Sequence, residues 1–509
     1  MSSGASVSTL DAHIITTEAD GRLRGISPQR AREIINAAIV HGNVVAHFHG
    51  GLVSEEKGRK IAEQLLPLYL DAGAYPLFFV WRSGLRETLP GNLKEIVQNE
   101  LVDRLLRHIM RWTVGRLRQE RAGGPTAIPL DQALPTREEV DAQMRRRAAG
   151  DEPFAEESPD RLDNPELSAD EQKMFRQELM SDPGLSEALN KTLTTDRLGG
   201  GLTPLPRASQ KPNRIGRAVL ADVIPGMAKG LSNPAALMTT LASQVVPVLG
   251  AVLRRYHDQV DHGVYPTVLE EFMRMFLLGE LGGTIWQTIK KDTQDTFEES
   301  DRAGCLFVEA LVAAAQAGTL PRLTLVGHST GGVFIDNLLT KMKSELGPDS
   351  KFRADIAFLA PACTTRDFAD MLDQSEDLIR AFRLFTMTDD AERADHLEGQ
   401  AYPRSLLYLV AGALEREDDD SAYTPLVGLA RYLAPEDTLS RLLVSSRAER
   451  ARLARVRSFF EQPDRVVLSP SESGAPEGRQ AAALKHGDFD NDPMVLRSLA
   501  TIVKQELVI

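Results

Sequence analysis

The sequence predicts an α/β fold: a mostly parallel central sheet, helices on both faces, and a large helical insertion. Three observations carry that expectation. Asn43 to Phe48 (NVVAHF) and Tyr75 to Trp81 (YPLFFVW) are compact apolar runs with a helix-type stretch between them, the pattern of parallel strands buried on both faces. The same kind of run returns at Leu323 to Val326, Ile356 to Leu359 and Ala381 to Met387. From about Leu85 to Gly318 none is found, a gap far longer than the single helix that an αβ crossover needs.

The elements follow in order. Val7 to Thr17 and Gly21 to Ile26 read as a hairpin turning at Glu18, Ala19 and Asp20. Ser27-Pro28 opens a helix through Ala38, the serine as N-cap and the proline at the first helical position. The 43–48 strand ends in His49-Gly50-Gly51-Leu52, and Ser54-Glu55-Glu56 starts a helix that Asp71-Ala72-Gly73 stops. Within the gap, Leu93 to Leu117 reads as one helix. Arg121 to Pro212 is rich in charge, Pro and Gly, which predicts short exposed helices and the poorest order in the chain, with Gly199-Gly200-Gly201 as a hinge. Asn233 to Leu253 carries no charge and is long enough to span a bilayer, but its polar residues and two prolines favour a buried or lid helix pair kinked at Pro247. The elbow strand 323–326 is followed by Val333, Phe334, Leu338, Leu339 and Met342 at helical spacing. A helix over Pro403 to Glu415, further helical sequence to Phe460, a short strand Val466 to Leu468 and a closing helix capped by Asp492-Pro493 complete the chain. The division expected is therefore 1–84 and 319–509 as two parts of one core, with 85–318 as a helical cap whose 121–212 segment is charged.

Composition narrows the function. The 59 basic side chains against 72 acidic ones leave a net charge of −13, which weighs against nucleic acid as the main partner. Cys305 and Cys363 sit in apolar surroundings with no metal-ligand spacing, and are expected to be buried thiols. The first residues lack the basic start and apolar centre of a signal peptide, so a cytoplasmic protein is expected. Asp488-Phe489-Asp490-Asn491-Asp492-Pro493 echoes a calcium loop, but Pro493 stands where the turn glycine belongs, so helix capping explains it better.

The sharpest chemical signal is Gly327-His328-Ser329-Thr330-Gly331 at a strand-to-helix junction. Small residues on both sides let the chain turn abruptly and hold Ser329 in a strained conformation, its hydroxyl at the positive end of a helix. A phosphate loop would need Gly-Lys-Ser/Thr, which is absent.

These residues resemble the α/β-hydrolase superfamily, whose triad runs nucleophile, acid, histidine along the chain. The resemblance covers the sheet framework, about Val7 to Gly84 and Leu320 to Ile509, and not the insertion. It implies Ser329 as nucleophile, and His486 as base among ten histidines, because His486 lies in a loop after the last strand and before the last helix. His396 is the main rival. For the acid it implies a carboxylate just beyond the strand after the elbow helix's own: Asp389 first, with Asp390 and Asp395 as rivals. It further implies an oxyanion hole from the N–H groups of Thr330 and of Gly51 or Leu52, in a loop one glycine short of the fully glycine-rich form.

The activity implied is that of a serine hydrolase, cleaving a carboxylic ester, either an acyl ester or a lipid, through an acyl-enzyme, with no metal or organic cofactor. Membrane-surface contact through the cap is not predicted. Two alternatives stand: a peptidase or amidase with the same triad, and a catalytically silent interaction or effector protein that uses the charged segment for partners.

Overall fold

The architecture was obtained as a computed structural model, which describes residues 9–51, 53–81, 89–148, 151–157, 162–197, 234–276, 283–397, 401–415, 423–433 and 447–504. Leu52, the 199–201 hinge, the start of the expected hairpin and parts of the helical sequence expected up to Phe460 lie outside the described residues.

Seven parallel strands form one sheet: β1 (Ile14–Thr17), β2 (Asn43–Phe48), β3 (Tyr75–Trp81), β4 (Arg322–His328), β5 (Ala354–Leu359), β6 (Ile379–Met387) and β7 (Val466–Ser469). Their order is β1-β3-β2-β4-β5-β6-β7, so β2 and β4, separated in sequence by the whole insertion, are neighbours. Phe48 pairs with Gly327, which sets the end of β2 beside the elbow. The expected hairpin is formed only in short form: the chain turns back after Glu18, with Glu18 N–H donating to the Arg22 carbonyl at 2.8 Å and Arg24 N–H to the Thr16 carbonyl at 2.9 Å. Ile14–Thr17 also pairs parallel with β3 along its other edge, while the return segment adds the single antiparallel bridge Thr17 to Leu23. An apolar edge on β3 offers the 14–17 strand a ladder of four residue pairs, more than the bridge supplies.

The connecting helices begin where their capping residues put them. In α1 (Pro28–His41) the Ser27 hydroxyl accepts from the Arg30 N–H at 3.1 Å, and Gly42 closes the other end at φ 84°. In α2 (Glu55–Asp71) Ser54 does the same for Lys57. The single helix expected over Leu93 to Leu117 is two, α3 (Leu89–Gln98) and α4 (Glu100–Arg121), because the Asn99 side chain accepts from the Leu101 and Val102 N–H groups and restarts the helix.

The rest of the insertion is built around α4. It comprises α5 (Leu130–Ala133), α6 (Arg137–Ala148), α7 (Ala169–Met180), α8 (Pro183–Arg197), α9 (Pro234–His257), α10 (Val264–Phe276), α11 (Gly283–Asp295) and α12 (Ala303–Ala317). The described part of the charged stretch is packed, against expectation. Phe175, Leu179, Leu185 and Leu189 are fully buried, and the charges pair: Arg116 with Glu171, Arg118 with Glu139 and Glu157, His108 with Glu178 and Asp182. The uncharged run forms one continuous helix, α9, rather than a pair, with Pro247 inside it. Over Ala235–His257 it is long and apolar enough to cross a membrane by length and composition, yet 61% of its apolar window is buried. Its outward residues are Ala235, Thr239, Ser243, Gln244, Pro247 and Arg254, small or polar side chains at helical spacing. The last insertion helix, α12, packs against α1 and belongs to the core sandwich.

After the elbow come α13 (Thr330–Glu345), α14 (Thr365–Ser375), α15 (Asp389–Ala394) and α16 (Leu406–Leu409). The last of these continues as a π-helical turn over Val410–Leu414 where a single α-helix was expected. They are followed by α17 (Arg447–Phe460) and α18 (Pro493–Lys504), the latter capped by Asp492, which accepts from Val495 N–H. Helices α1, α12, α13, α14 and α17 cover one face of the sheet around Ile35, Phe334, Leu338 and Phe358. On the other face, under α2 and α18, the core runs without a break from Val45 and Phe78 into the insertion at Trp112, Leu249 and Phe272. Both cysteines are buried free thiols.

A fully buried ionic knot pins the insertion to the C-terminal half. Arg255 on α9 pairs with Glu270 at 2.5 Å and Glu271 at 3.3 Å, and Glu270 also accepts from the His262 ring and the Tyr402 hydroxyl. Despite burial, the surrounding cation and donors hold the Glu270 carboxyl down at about 2. Removing one member strands the rest, so Arg255→Ala is expected to lose about 3–5 kcal/mol in urea denaturation. A loss below about 1 kcal/mol would show that the knot is not what fixes the cap.

Candidate active site

Strand β4 ends at His328 and α13 begins at Thr330, leaving one residue to reverse the chain. Ser329 does so at φ 53°, ψ −114°, a region that non-glycine residues avoid. Its own backbone is pinned: its N–H donates to Leu359 O at 2.9 Å, and its carbonyl accepts from Gly332 and Ala362, each at 3.0 Å. The side chain makes no capping bond to the helix it opens. The turn is possible only because the neighbouring backbone comes very close. A Cβ on Gly331 would stand 2.1 Å from the Phe48 carbonyl oxygen, and one on Gly51 would stand 2.6 Å from Thr330 Oγ1. Gly331→Ala is therefore expected to cost about 1–3 kcal/mol in urea denaturation, and an unchanged midpoint would contradict this packing.

The second contact brings the oxyanion candidates together. Gly50 faces the Ser329 Cβ, at 3.4 Å from its notional Cβ, and Gly51 lies against Thr330. Thr330 is the first residue of α13, where backbone N–H groups have no partner within the helix. The other proposed donor, Leu52, is outside the described residues. His49 fixes this loop. Its Nδ1–H donates to the Gly50 carbonyl at 2.7 Å, its Nε2 accepts from the Trp81 N–H at 3.2 Å, and its ring stacks on Trp81 at 4.2 Å. One donor and one acceptor define a neutral ring, and burial lowers its pKa to about 4. The unfolded chain thus takes up a proton near pH 6.5 that the native state refuses until about pH 4, so this residue's contribution to stability falls as pH drops through that window. The stability of the wild type relative to His49→Gln is expected to shrink from pH 7 to 4.5 by up to about 1.4 kcal/mol per pH unit. A difference independent of pH would mean that folding leaves the pKa of this ring unshifted.

His486 reaches the same place. Its ring centroid lies 5.2 Å from that of His328, and the His328 Nε2–H donates to the His486 carbonyl at 3.0 Å. Burial first, and the His328 charge second, lower the His486 pKa to about 3, partly opposed by Asp490. Its Nδ1 is buried and has no hydrogen-bond partner. Among the described residues no hydrogen bond joins the Ser329 hydroxyl to the His486 ring.

The three candidate acids are placed differently with respect to His486. Asp389 does not meet His486: its carboxylate accepts from the Tyr408 hydroxyl at 2.5 Å, in a group completed by Arg431. The carboxylate at His486 is Asp395, whose Oδ2 accepts from the His486 backbone N–H at 2.9 Å. The cause is α15. Thr388 caps this six-residue helix, accepting from Ala391 N–H, so Asp389 sits in its first turn and Asp395 at its C-cap. Burial raises the Asp395 pKa, and the backbone hydrogen bond works against that rise. No hydrogen bond joins the other rivals, Asp390 and His396, to Ser329 or His486.

Two residues here escaped sequence reasoning. Asp490 is buried and its Oδ2 accepts from His328 Nδ1 at 2.6 Å, while its Oδ1 lies 3.7 Å from His47 Nε2. The available signal was the spacing of His486 and Asp490 in one loop. From the cap, the Ile289 side chain comes within 3.4 Å of the notional Gly51 Cβ.

No family model, curated protein or solved structure matches this chain.

Proposed function

We propose that this chain is a serine hydrolase of the α/β-hydrolase type, cleaving a carboxylic acyl ester through an acyl-enzyme. One observation carries the reading: a serine held at φ 53° between a buried parallel strand and a helix N-terminus, its side chain not spent on capping that helix. Strain of that kind costs about 1–3 kcal/mol and persists where the surroundings enforce it, typically at reactive sites. The Ser329 oxygen would attack the acyl carbonyl, His486 would take its proton, and the Thr330 and Gly51 N–H groups would stabilise the oxyanion. His486 would then protonate the leaving alcohol, and water would clear the acyl group by the reverse sequence of transfers.

For the base to work, the imidazolium that forms needs an acceptor at Nδ1. Asp395, already bonded to the same residue's backbone, is our assignment for that role in place of Asp389. The apolar approach of Ile289 to the oxyanion turn favours an acyl chain over a polar peptide. A catalytically silent interaction protein is the competing reading, and the unpartnered Nδ1 of His486 is what favours it.

A fluorophosphonate probe and p-nitrophenyl esters of increasing chain length separate the two. Labelling of the wild type and a loss of at least about 10³-fold in kcat/KM for Ser329→Ala are expected. Asp395→Asn should lower kcat by about 10²- to 10⁴-fold while Asp389→Asn stays within about threefold. Folded wild type that neither labels nor turns over would favour the silent reading.

A further inference from the structure

The residue before the nucleophile is bonded at both ring nitrogens. His328 Nδ1 lies 2.6 Å from a carboxylate oxygen of Asp490, and Nε2 lies 3.0 Å from the main-chain carbonyl oxygen of His486. A carbonyl can only accept, and an ionised carboxylate can only accept, so the ring that satisfies both is doubly protonated. Both partners belong to one short loop: the 3-10 turn His486–Asp488 carries the base, and Asp490 follows it. His328 itself belongs to the elbow strand. One imidazole therefore ties the base-bearing loop to the nucleophile-bearing turn, with all three residues buried.

We infer that His328, gripped by Asp490, is a positioning residue: a charged latch that holds the His486 loop against the nucleophile elbow and keeps a cation beside the base. The inference rests on the hydrolase reading and adds to it a residue that acts through His486 rather than on the substrate. The groups facing the latch are His47 and His49 from β2 and the loop after it, Lys57 from α2, and His486 and Asp490 from the base loop. Asp490 is the one anion among them. Its charge and hydrogen bond overcome the burial of His328 and raise that ring's pKa, while His328 in turn drives the Asp490 carboxyl far below the usual range. His47 stays 3.7 Å away, beyond hydrogen-bond reach, with its Nδ1 bonded to the Tyr69 hydroxyl at 3.1 Å. The consequence for the chemistry is twofold. The carbonyl of the base cannot drift from the elbow, and the neighbouring positive charge resists protonation of His486, so the free base survives into acid.

Ring protonation is read directly by nitrogen NMR of ¹⁵N-histidine-labelled protein. As the pH is raised through the ordinary histidine range, two rings are expected to keep both protons longest: His328, and His108, whose nitrogens face Glu178 and Asp182. In Asp490→Asn the His328 cation should disappear, and the acid limb of kcat/KM should move up by about one pH unit. The double variant His328→Leu/Asp490→Leu removes both charges together and so leaves none stranded, which favours folding. It should lose about 10- to 100-fold in kcat with KM within about twofold, the signature of a displaced base. A His328 ring that in the wild type loses its proton at or below the ordinary histidine pKa, or a folded double variant with unchanged kcat and pH profile, overturns the latch. Wild type that is never labelled at Ser329 overturns the hydrolase reading, and the latch falls with it; labelling of the wild type with an unaffected double variant overturns the latch alone.

Discussion

The arrangement at the sheet's upper edge depends on one forced backbone turn. Ser329 in its left-handed conformation costs about 1–3 kcal/mol, and three backbone hydrogen bonds, from its N–H to Leu359 and into its carbonyl from Gly332 and Ala362, are what hold it there. The bonds with Leu359 and Ala362 come from the β5 side of the sheet, and the third from the first turn of α13. The other side is closed by β2, whose Phe48 carbonyl touches the Gly331 backbone. The strain is thus shared between neighbouring strands, and the site exists because β2, β4 and β5 are adjacent and parallel.

The insertion is not a separate lobe in its packing. Its apolar interior merges with one face of the sheet, its last helix serves the opposite face, and the Arg255–Glu270 knot reaches across to Tyr402. Ile289 carries this continuity to the glycine turn at Gly51. Whatever governs substrate choice in such a molecule is mechanically joined to the elbow, so changes deep in α9 or α10 are transmitted through a dense core rather than across a hinge.

Much of this was legible in the sequence because the buried strands are short, apolar and bounded by capping residues. NVVAHF, YPLFFVW and the run before Ser329 could be little else, and Ser27, Ser54 and Asp492 cap the helices they precede. What could not be read was long-range choice. The 14–17 segment uses both of its edges, one for the short local turn and one for β3, and only the local partner lies close in the sequence. The charged stretch looked exposed because its ion pairs, such as Arg116 with Glu171, join residues far apart in sequence. Which aspartate lies at His486 could not be read because a six-residue helix stands between β6 and that loop, carrying Asp389 to Tyr408 and Asp395 to the His486 backbone. The partners of His328 were invisible for a similar reason, since they lie in the last loop before the C-terminal helix.

The pairing of β2 with β4 has a consequence for how the chain comes into being. Phe48 and Gly327 lie at opposite ends of the insertion, so during synthesis the finished β1–β3 unit waits with an uncovered apolar flank until β4 emerges. Non-local parallel pairing is slow to form and leaves strand edges open to the wrong neighbour. Early condensation of the insertion around α4 would shorten the effective loop and shelter that flank. The segment would then act as its own escort for the sheet, long before any substrate is met.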